Sequence, residues 1–330
     1  MMFIRVKDTK SEACFEFEKF LKINNFKYSK ASYDQFIVDS IYYKNIYNAY
    51  PKYEYADLSS HKLVSRVNNP LDKVINVRSI RIGGNSPLFI AASPCVIDDN
   101  EILNSITTSC KHSGARGLHG GSYRTKNSNN FTQGISKENL KLFNQCSSRN
   151  SLLSIAEISS ISEVDYYKDN IDIIEVGPKN MQNFDLLKVL GKVKNPILLK
   201  RGFGNTIEEL LMSAEYIAYN GNSNIILCEC GIRTFESMTN ETLDLSSVIL
   251  LKRLTNLPIF VDASEALGDK ELVKDMLASI IVAGSDGIIL NVNNYSLDVT
   301  AKEHNSLNLK EFQDIITNLK LLSYYIKREI

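Results

Sequence analysis

The feature that most constrains this 330-residue chain is a rhythm that begins near residue 75. Short apolar runs of strand length recur as "PLFIAAS", "GARGLHG", "LLSIAE", "IDIIEVG", "PILLKRG", "NIILCE", "LPIFVDAS" and "DGIILNV". Strands that are apolar almost throughout are buried on both faces, as parallel strands beneath covering helices are. The segments between them include "TIEELLMSAEYIAYNG", "KELVKDMLASIIVAG" and "NMQNFDLLKVLG". Several of these open on a Thr, Asp or Asn cap and close at a Gly, as helices do. Eight strand-then-helix units predict a closed (β/α)₈ barrel. An open doubly wound sheet would carry a G-x-G-x-x-G turn after its first strand, and the chain has none.

The first sixty residues follow a different pattern. A strand ("MFIRVK") and a helix ("SEACFEFEKFLKINN") lead into strand-like aromatic segments up to about Tyr55. Helical spacing places Ala13, Phe17, Phe20 and Leu21 on one face. Residues 1–60 are therefore expected to form a small α+β module, 61–75 a polar connector with a turn at Asn68-Asn69-Pro70, and 76–330 the barrel.

Charge narrows the partners. Lys plus Arg and Asp plus Glu each number 38, so net charge is zero and neither nucleic acid nor an anionic membrane is an expected partner. No apolar run reaches the roughly 18–20 residues of a membrane span. The start, "MMFIRVKDTK", lacks the pattern of a secretory signal. Six scattered cysteines read as reduced thiols, so a cytoplasmic location is expected. Cys228 and Cys230 share one strand face, but no second pair matches them as metal ligands.

In such a barrel, strand C-terminal ends carry the chemistry. Cys95, His119, Glu157, Glu175, Lys200, Arg201, Glu229, Asp262, Glu265 and Asn291 are thereby placed around one mouth, which reads as a polar pocket.

Three segments carry a family resemblance: "ILCECGIRTFE", "PILLKRGFGNTIEELLMSAEYI" and "GPKNMQNFDLLK". Over residues 60 to 312 the chain resembles 3-deoxy-D-arabino-heptulosonate 7-phosphate (DAHP) synthases of the type I beta branch, which are related to 3-deoxy-octulosonate 8-phosphate synthases. The N-terminal module resembles the ferredoxin-like regulatory domain of some members. The resemblance implies a (β/α)₈ barrel that condenses phosphoenolpyruvate with an aldose phosphate. It also implies a divalent metal that polarises the aldehyde, cations that hold the phosphates, and a homo-oligomer, dimer or tetramer.

Matched motif by motif, the chain departs from the family at the site. The metal-ligand motif "GPC" reads Ser93-Pro94-Cys95, which keeps the thiol. "DPSH" reads Asp262-Ala263-Ser264-Glu265, so the ligand histidine becomes Glu265. "EVH" reads Asn291-Val292-Asn293, and the "SDG" aspartate falls on Lys302. The arginine of "CERG" is Cys230 and that of "RGGAFKPRT" is His119, while Lys200 and Arg201 match. In the loop that follows His119, Arg124, Lys126 and Ser128 stand where the family contacts its substrates. Glu157, Asn180, Gln182, Glu229, Arg233, Glu236 and Asp262 match the family pattern.

No cofactor is expected on this reading, with an ion pair between Glu265 and Lys302 in place of the metal. The alternative is a divalent ion rebuilt on Cys95 and Glu265, with Glu303 or His304 shifted in. Lys200, Asp262, Glu265 and His119 are the candidate catalytic residues, with Lys200 either a cation or an amine nucleophile. Arg124, Lys126, Ser128, Arg201, Asn180 and Gln182 are the candidates for binding a small anionic substrate. Three functions remain: a divergent carbon–carbon bond-forming or -breaking enzyme of a specialised biosynthetic pathway, a non-catalytic relative that binds a metabolite or regulates a partner, and ordinary DAHP synthesis.

Overall fold

The computed structural model describes residues 1–7, 11–95, 99–120, 137–294, 305–326 and 328–330. The N-terminal module comprises β1 (Met2–Arg5), α1 (Ser11–Ile23), β2 (Tyr28–Ser32), β3 (Gln35–Val38), α2 (Tyr43–Ala49) and β4 (Glu54–Asp57). Its antiparallel sheet has the order β2-β3-β1-β4. Met2 and Ile4 alternate inward and pack with Phe17, Leu21, Phe36 and Ile46 in a separate core. Phe17 sits at its centre, edge-to-face with Phe36, Tyr50 and Tyr53 at 5.1–5.2 Å, geometry that favours the ring quadrupoles.

The expected connector lies fastened along the barrel. Arg66 is buried and reaches Asp72 at 2.6 Å, while its backbone N–H donates to Leu254 O at 2.9 Å. The Leu63 N–H donates to Glu215 at 2.8 Å. A hairpin follows, β5 (Ile75–Val77) and β6 (Ile80–Ile82). Its Ile75, Val77 and Ile82 belong to the cluster that fills the barrel interior.

The barrel alternates β7 (Phe89–Pro94), α3 (Asn100–Ser113), β8 (Gly117–Gly120), α4 (Lys137–Arg149), β9 (Leu153–Glu157), α5 (Val164–Asn170), β10 (Ile173–Val176) and α6 (Phe184–Leu190). It continues through β11 (Ile197–Lys200), α7 (Ile207–Tyr219), β12 (Ile225–Glu229), α8 (Leu245–Leu254), β13 (Ile259–Asp262), α9 (Ala263–Leu267), α10 (Lys270–Val282) and β14 (Gly287–Asn293). Strands β7 to β14 pair in parallel, each with the next, and β14 closes the ring on β7 from Gly287↔Phe89 to Val292↔Pro94. The short β15 (Leu307–Asn308) adds to β14, and α11 (Leu309–Ile326) ends the fold. All eight predicted barrel strands form.

Strand alternation decides what each face carries. Ile174 and Val176 of β10 pack outward against the helices, whereas Ile173 points inward with Phe89, Ile155, Leu198, Ile226, Cys228, Phe260 and Ile289. Gly117 and Gly287 leave room for the rings of Phe89 and Phe260, against which a Cβ at either position would collide. Those rings stack at 5.3 Å. This apolar layer is the floor on which the mouth is built. Among the described residues no helix is long and apolar enough to cross a membrane.

Candidate active site

On six strands the position two beyond an inward apolar side chain presents a polar one: Ser93 after Ala91, Glu157 after Ile155, Glu175 after Ile173, Lys200 after Leu198, Asp262 after Phe260 and Asn291 after Ile289. His119 stands in the same relation to Gly117 on β8. A polar layer thus sits on the apolar floor at the C-terminal ends of the strands, where barrel chemistry is placed.

Lys200 is its centre. The side chain is 2% exposed, and its Nζ lies 2.9 Å from Asp262 Oδ2, 2.7 Å from Glu265 Oε2 and 3.1 Å from Glu175 Oε1. The first two are hydrogen bonds. The third is a close ion pair out of line for one, so Glu175 Oε1 is a buried acceptor with no hydrogen-bond donor. Burial pulls the ammonium toward neutrality, but the charges of Asp262, Glu175 and Glu265 outweigh it and hold Lys200 well above its ordinary value. A protonated amine has no lone pair, so the geometry assigns Lys200 the role of cation and not of amine nucleophile.

His119 is the second buried cation candidate. Its Nε2 lies 2.7 Å from Glu175 Oε2 and its Nδ1 3.0 Å from Ser93 Oγ. Burial lowers its affinity for protons, yet the charge and hydrogen bond of Glu175 more than offset this and raise it. Glu175 answers in the opposite sense: burial raises it, but Lys200 and His119 bring it down to about 2. It lies between the Lys200 ammonium and the His119 ring. Among the described residues Glu157 has no such partner and, half-buried beside Glu175, is raised to about 7. A Cβ at Gly177 would meet its carboxylate, so a side chain there would displace Glu157 from this position. Glu265 is raised by burial and the neighbouring Asp262.

Asp262 has two tasks. While Oδ2 binds Lys200, Oδ1 accepts the Glu265 N–H at 3.1 Å and caps α9. That cap turns Glu265 back over the mouth, so one residue fixes both partners of the ammonium.

The other expected residues distribute as follows. Arg201 lies beside Lys200, but its Nη1 binds Glu229 and Asp244, each at 3.0 Å, and its Nε donates to Asn205 O at 2.9 Å. Gln182 Oε1 accepts from Asn205 at 3.0 Å, and Asn180 Oδ1 accepts from Asn183 at 3.2 Å, so both belong to rim loops. Cys230 is buried, its thiol pushed up by burial and bonded to Arg201 O at 3.3 Å. Cys95 is exposed at the end of β7, 2.8 Å from Ser306 Oγ. Arg124, Lys126, Ser128, Lys302, Glu303 and His304 lie outside the described residues. Among the described residues Glu265 pairs with Lys200, and its expected pairing with Lys302 falls on a residue outside them. Both oxygens of the Asp262 carboxylate are engaged, by Lys200 and by the Glu265 N–H.

A divalent ion does not fit the described residues. The Glu265 carboxylate is committed to an ammonium that would repel such an ion, and Asn291 offers a neutral carboxamide where an anionic ligand would be needed. No three His, Cys, Asp or Glu side chains among the described residues are grouped to hold a metal.

Sequence reasoning placed Glu175 at the rim but gave it no task, and Ser93 and Asp244 were overlooked as partners. The signal for Glu175 was present: an acidic residue at an inward position of an otherwise apolar strand needs a buried cation.

Residues 64–327 match the DAHP synthetase I family. A phospho-2-dehydro-3-deoxyheptonate aldolase of Thermotoga maritima is 37% identical over 266 residues, covering 81% of this chain and 78% of the relative. A 2-dehydro-3-deoxyphosphooctonate aldolase of Geobacter sulfurreducens is 24% identical over 78% of this chain and all of its own. The crystal structure of the Thermotoga maritima DAHP synthase superposes with TM-score 0.77 at 31% identity, over 99% of this chain and 98% of its own. A truncated form of the enzyme from that organism gives TM-score 0.75 at 34% identity over 82% of this chain and 99% of its own. With the family pattern across the whole barrel and relatives at this level of identity, the chain belongs to the DAHP synthetase I family.

Proposed function

We propose that this chain joins a three-carbon enol donor, phosphoenolpyruvate or a pyruvate-like acid, to an aldehyde by an aldol-type condensation in the barrel mouth, in a specialised biosynthetic pathway and without a metal. The observation that carries this reading is the buried Lys200 ammonium held among three inward carboxylates, with a fourth, Glu157, raised to about 7. Lys200 binds the donor carboxylate. The methylene carbon of the donor attacks the aldehyde carbon, and Glu157 delivers its proton to the aldehyde oxygen. With phosphoenolpyruvate, water adds at the central carbon, Glu265 takes the proton of that water, and inorganic phosphate leaves. With phosphoenolpyruvate the sum is donor plus aldehyde plus water giving a 2-oxo acid and phosphate; a pyruvate-like acid first gives a methyl proton to Glu265 and attacks as its enolate, so that donor plus aldehyde gives the 2-oxo acid alone. The protein takes a small anionic substrate and works as a homo-oligomer.

Two other readings each have a supporting observation. The 37% identity to the Thermotoga maritima aldolase favours ordinary DAHP synthesis. The internal neutralisation of Lys200 and Arg201 favours a binding or regulatory protein. One experiment separates the three. Product formation is followed by NMR with phosphoenolpyruvate or pyruvate and a panel of phosphorylated and unphosphorylated aldehydes, in chelator and with added manganese. Turnover of an unphosphorylated aldehyde in chelator is expected. Efficient metal-dependent turnover of erythrose 4-phosphate alone assigns ordinary synthesis. No turnover of any pair leaves the binding protein.

A further inference from the structure

We propose that the Glu265 carboxylate is an internal stand-in for a substrate carboxylate, so that a monoanionic carboxylic acid reaches Lys200 only by exchanging with it. The proposal rests on Lys200 as the donor-binding cation. It adds a specificity-determining residue and a ligand class.

An ammonium has three N–H donors, and here three carboxylates surround Nζ within 3.1 Å, which leaves a ligand no open approach. The three are not equally held. Glu175 and Asp262 are buried, and each carries a further bond that fixes it, to His119 and to the α9 N-terminus respectively. Glu265 is 28% exposed, the outermost of the three, and Lys200 is the one hydrogen-bond partner of its carboxylate among the described residues. It leaves by side-chain rotation alone, whereas the other two leave only by dismantling the histidine dyad or the helix cap.

Charge decides what takes its place. A monoanion that replaces Glu265 leaves the charge against Lys200 unchanged. A dianion places an additional negative charge beside Asp262 and Glu175, in a setting too buried for water to screen it. The vacated position is the size of a carboxylate. The Lys200 pocket therefore selects the carboxylate end of a substrate over a phosphate end.

The test is calorimetric titration of the intact protein with pyruvate and, separately, inorganic phosphate, in the unmodified chain and in Glu265→Gln. An internal competitor that leaves its site about 10% of the time or less weakens apparent affinity about tenfold or more, so Glu265→Gln is expected to bind pyruvate at least about tenfold more tightly. No comparable gain is expected for phosphate. Lys200→Met is expected to abolish pyruvate binding, and if that variant does not fold, the Glu265→Gln comparison decides alone. Unchanged or weaker pyruvate affinity in Glu265→Gln overturns the proposal, as does an equal gain for phosphate, or no pyruvate binding by either protein. The condensation assay reports on the function separately. A pyruvate gain without condensation supports the exchange and removes the enzymatic reading; condensation without the gain overturns the exchange alone.

Discussion

Lys200 and Glu157 are a cation and an acid because of where strand alternation puts them. Lys200→Met removes the ammonium and leaves Glu175, Asp262 and Glu265 mutually uncompensated. We expect a loss of about 3–5 kcal/mol in chemical denaturation and, in whatever folds, a fall in kcat of about 10²–10³. For Glu157 the sign follows from a value raised from 4.5 to about 7. The folded chain holds this proton more tightly than the unfolded one, so the associated stability is full below 4.5 and is lost as pH rises through about 7. Glu157→Gln is expected to be more stable than the unmodified protein at pH 8 by about 1–3 kcal/mol, and to lose that pH dependence in urea titrations. In the condensation assay, activity should fall as pH rises through about 7, and this limb should vanish in the variant. The inward positions of these residues were legible in the sequence, since each follows an inward apolar residue by two. The pairing was not. The approach of Lys200 to Glu265 comes from the closed ring, not from spacing along the chain.

At the scale of elements, the site depends on helix starts. Thr206 and Glu209 form a reciprocal capping box at the start of α7, just after the Lys200 strand. Asp262 caps α9 with the oxygen not bound to Lys200. Asp262→Asn keeps a capping oxygen and loses the charge, whereas Asp262→Ala loses both. Denaturation of the two variants is expected to place Ala about 1 kcal/mol below Asn. An equal stability for the two would remove the cap from the account. The eight barrel strands were readable because each is an apolar run bounded by turn residues. The hairpin of β5 and β6 was not, because three-residue strands carry too little periodicity to register.

At the scale of the molecule, the connector is part of the barrel. Val64 and Arg66 are buried against it, and the backbone of residues 63–73 bonds to α7 and to the turn after α8. Chains beginning at residue 61 are expected to unfold cooperatively in circular dichroism, while chains beginning at 76 melt at a lower temperature. The attachment of the polar connector was not legible, since single apolar anchors within a polar stretch leave no periodic trace. The proposed oligomer has a place to be tested in the loop between β12 and α8, where Phe235 is fully exposed and Met238 nearly so. Phe235→Glu is expected to shift the mass in light scattering toward the monomer. The central claim is that an ammonium among carboxylates occupies the mouth where the family resemblance implies a metal. The most direct measurement is elemental analysis of the protein purified without chelator, alongside the variant carrying Lys302→Asp, Glu265→His and Asn291→Glu. The account predicts divalent metal far below one equivalent in the unmodified chain and a gain in the variant. A stoichiometric divalent ion in the unmodified chain, lost on Cys95→Ser or Glu265→Gln, would contradict it.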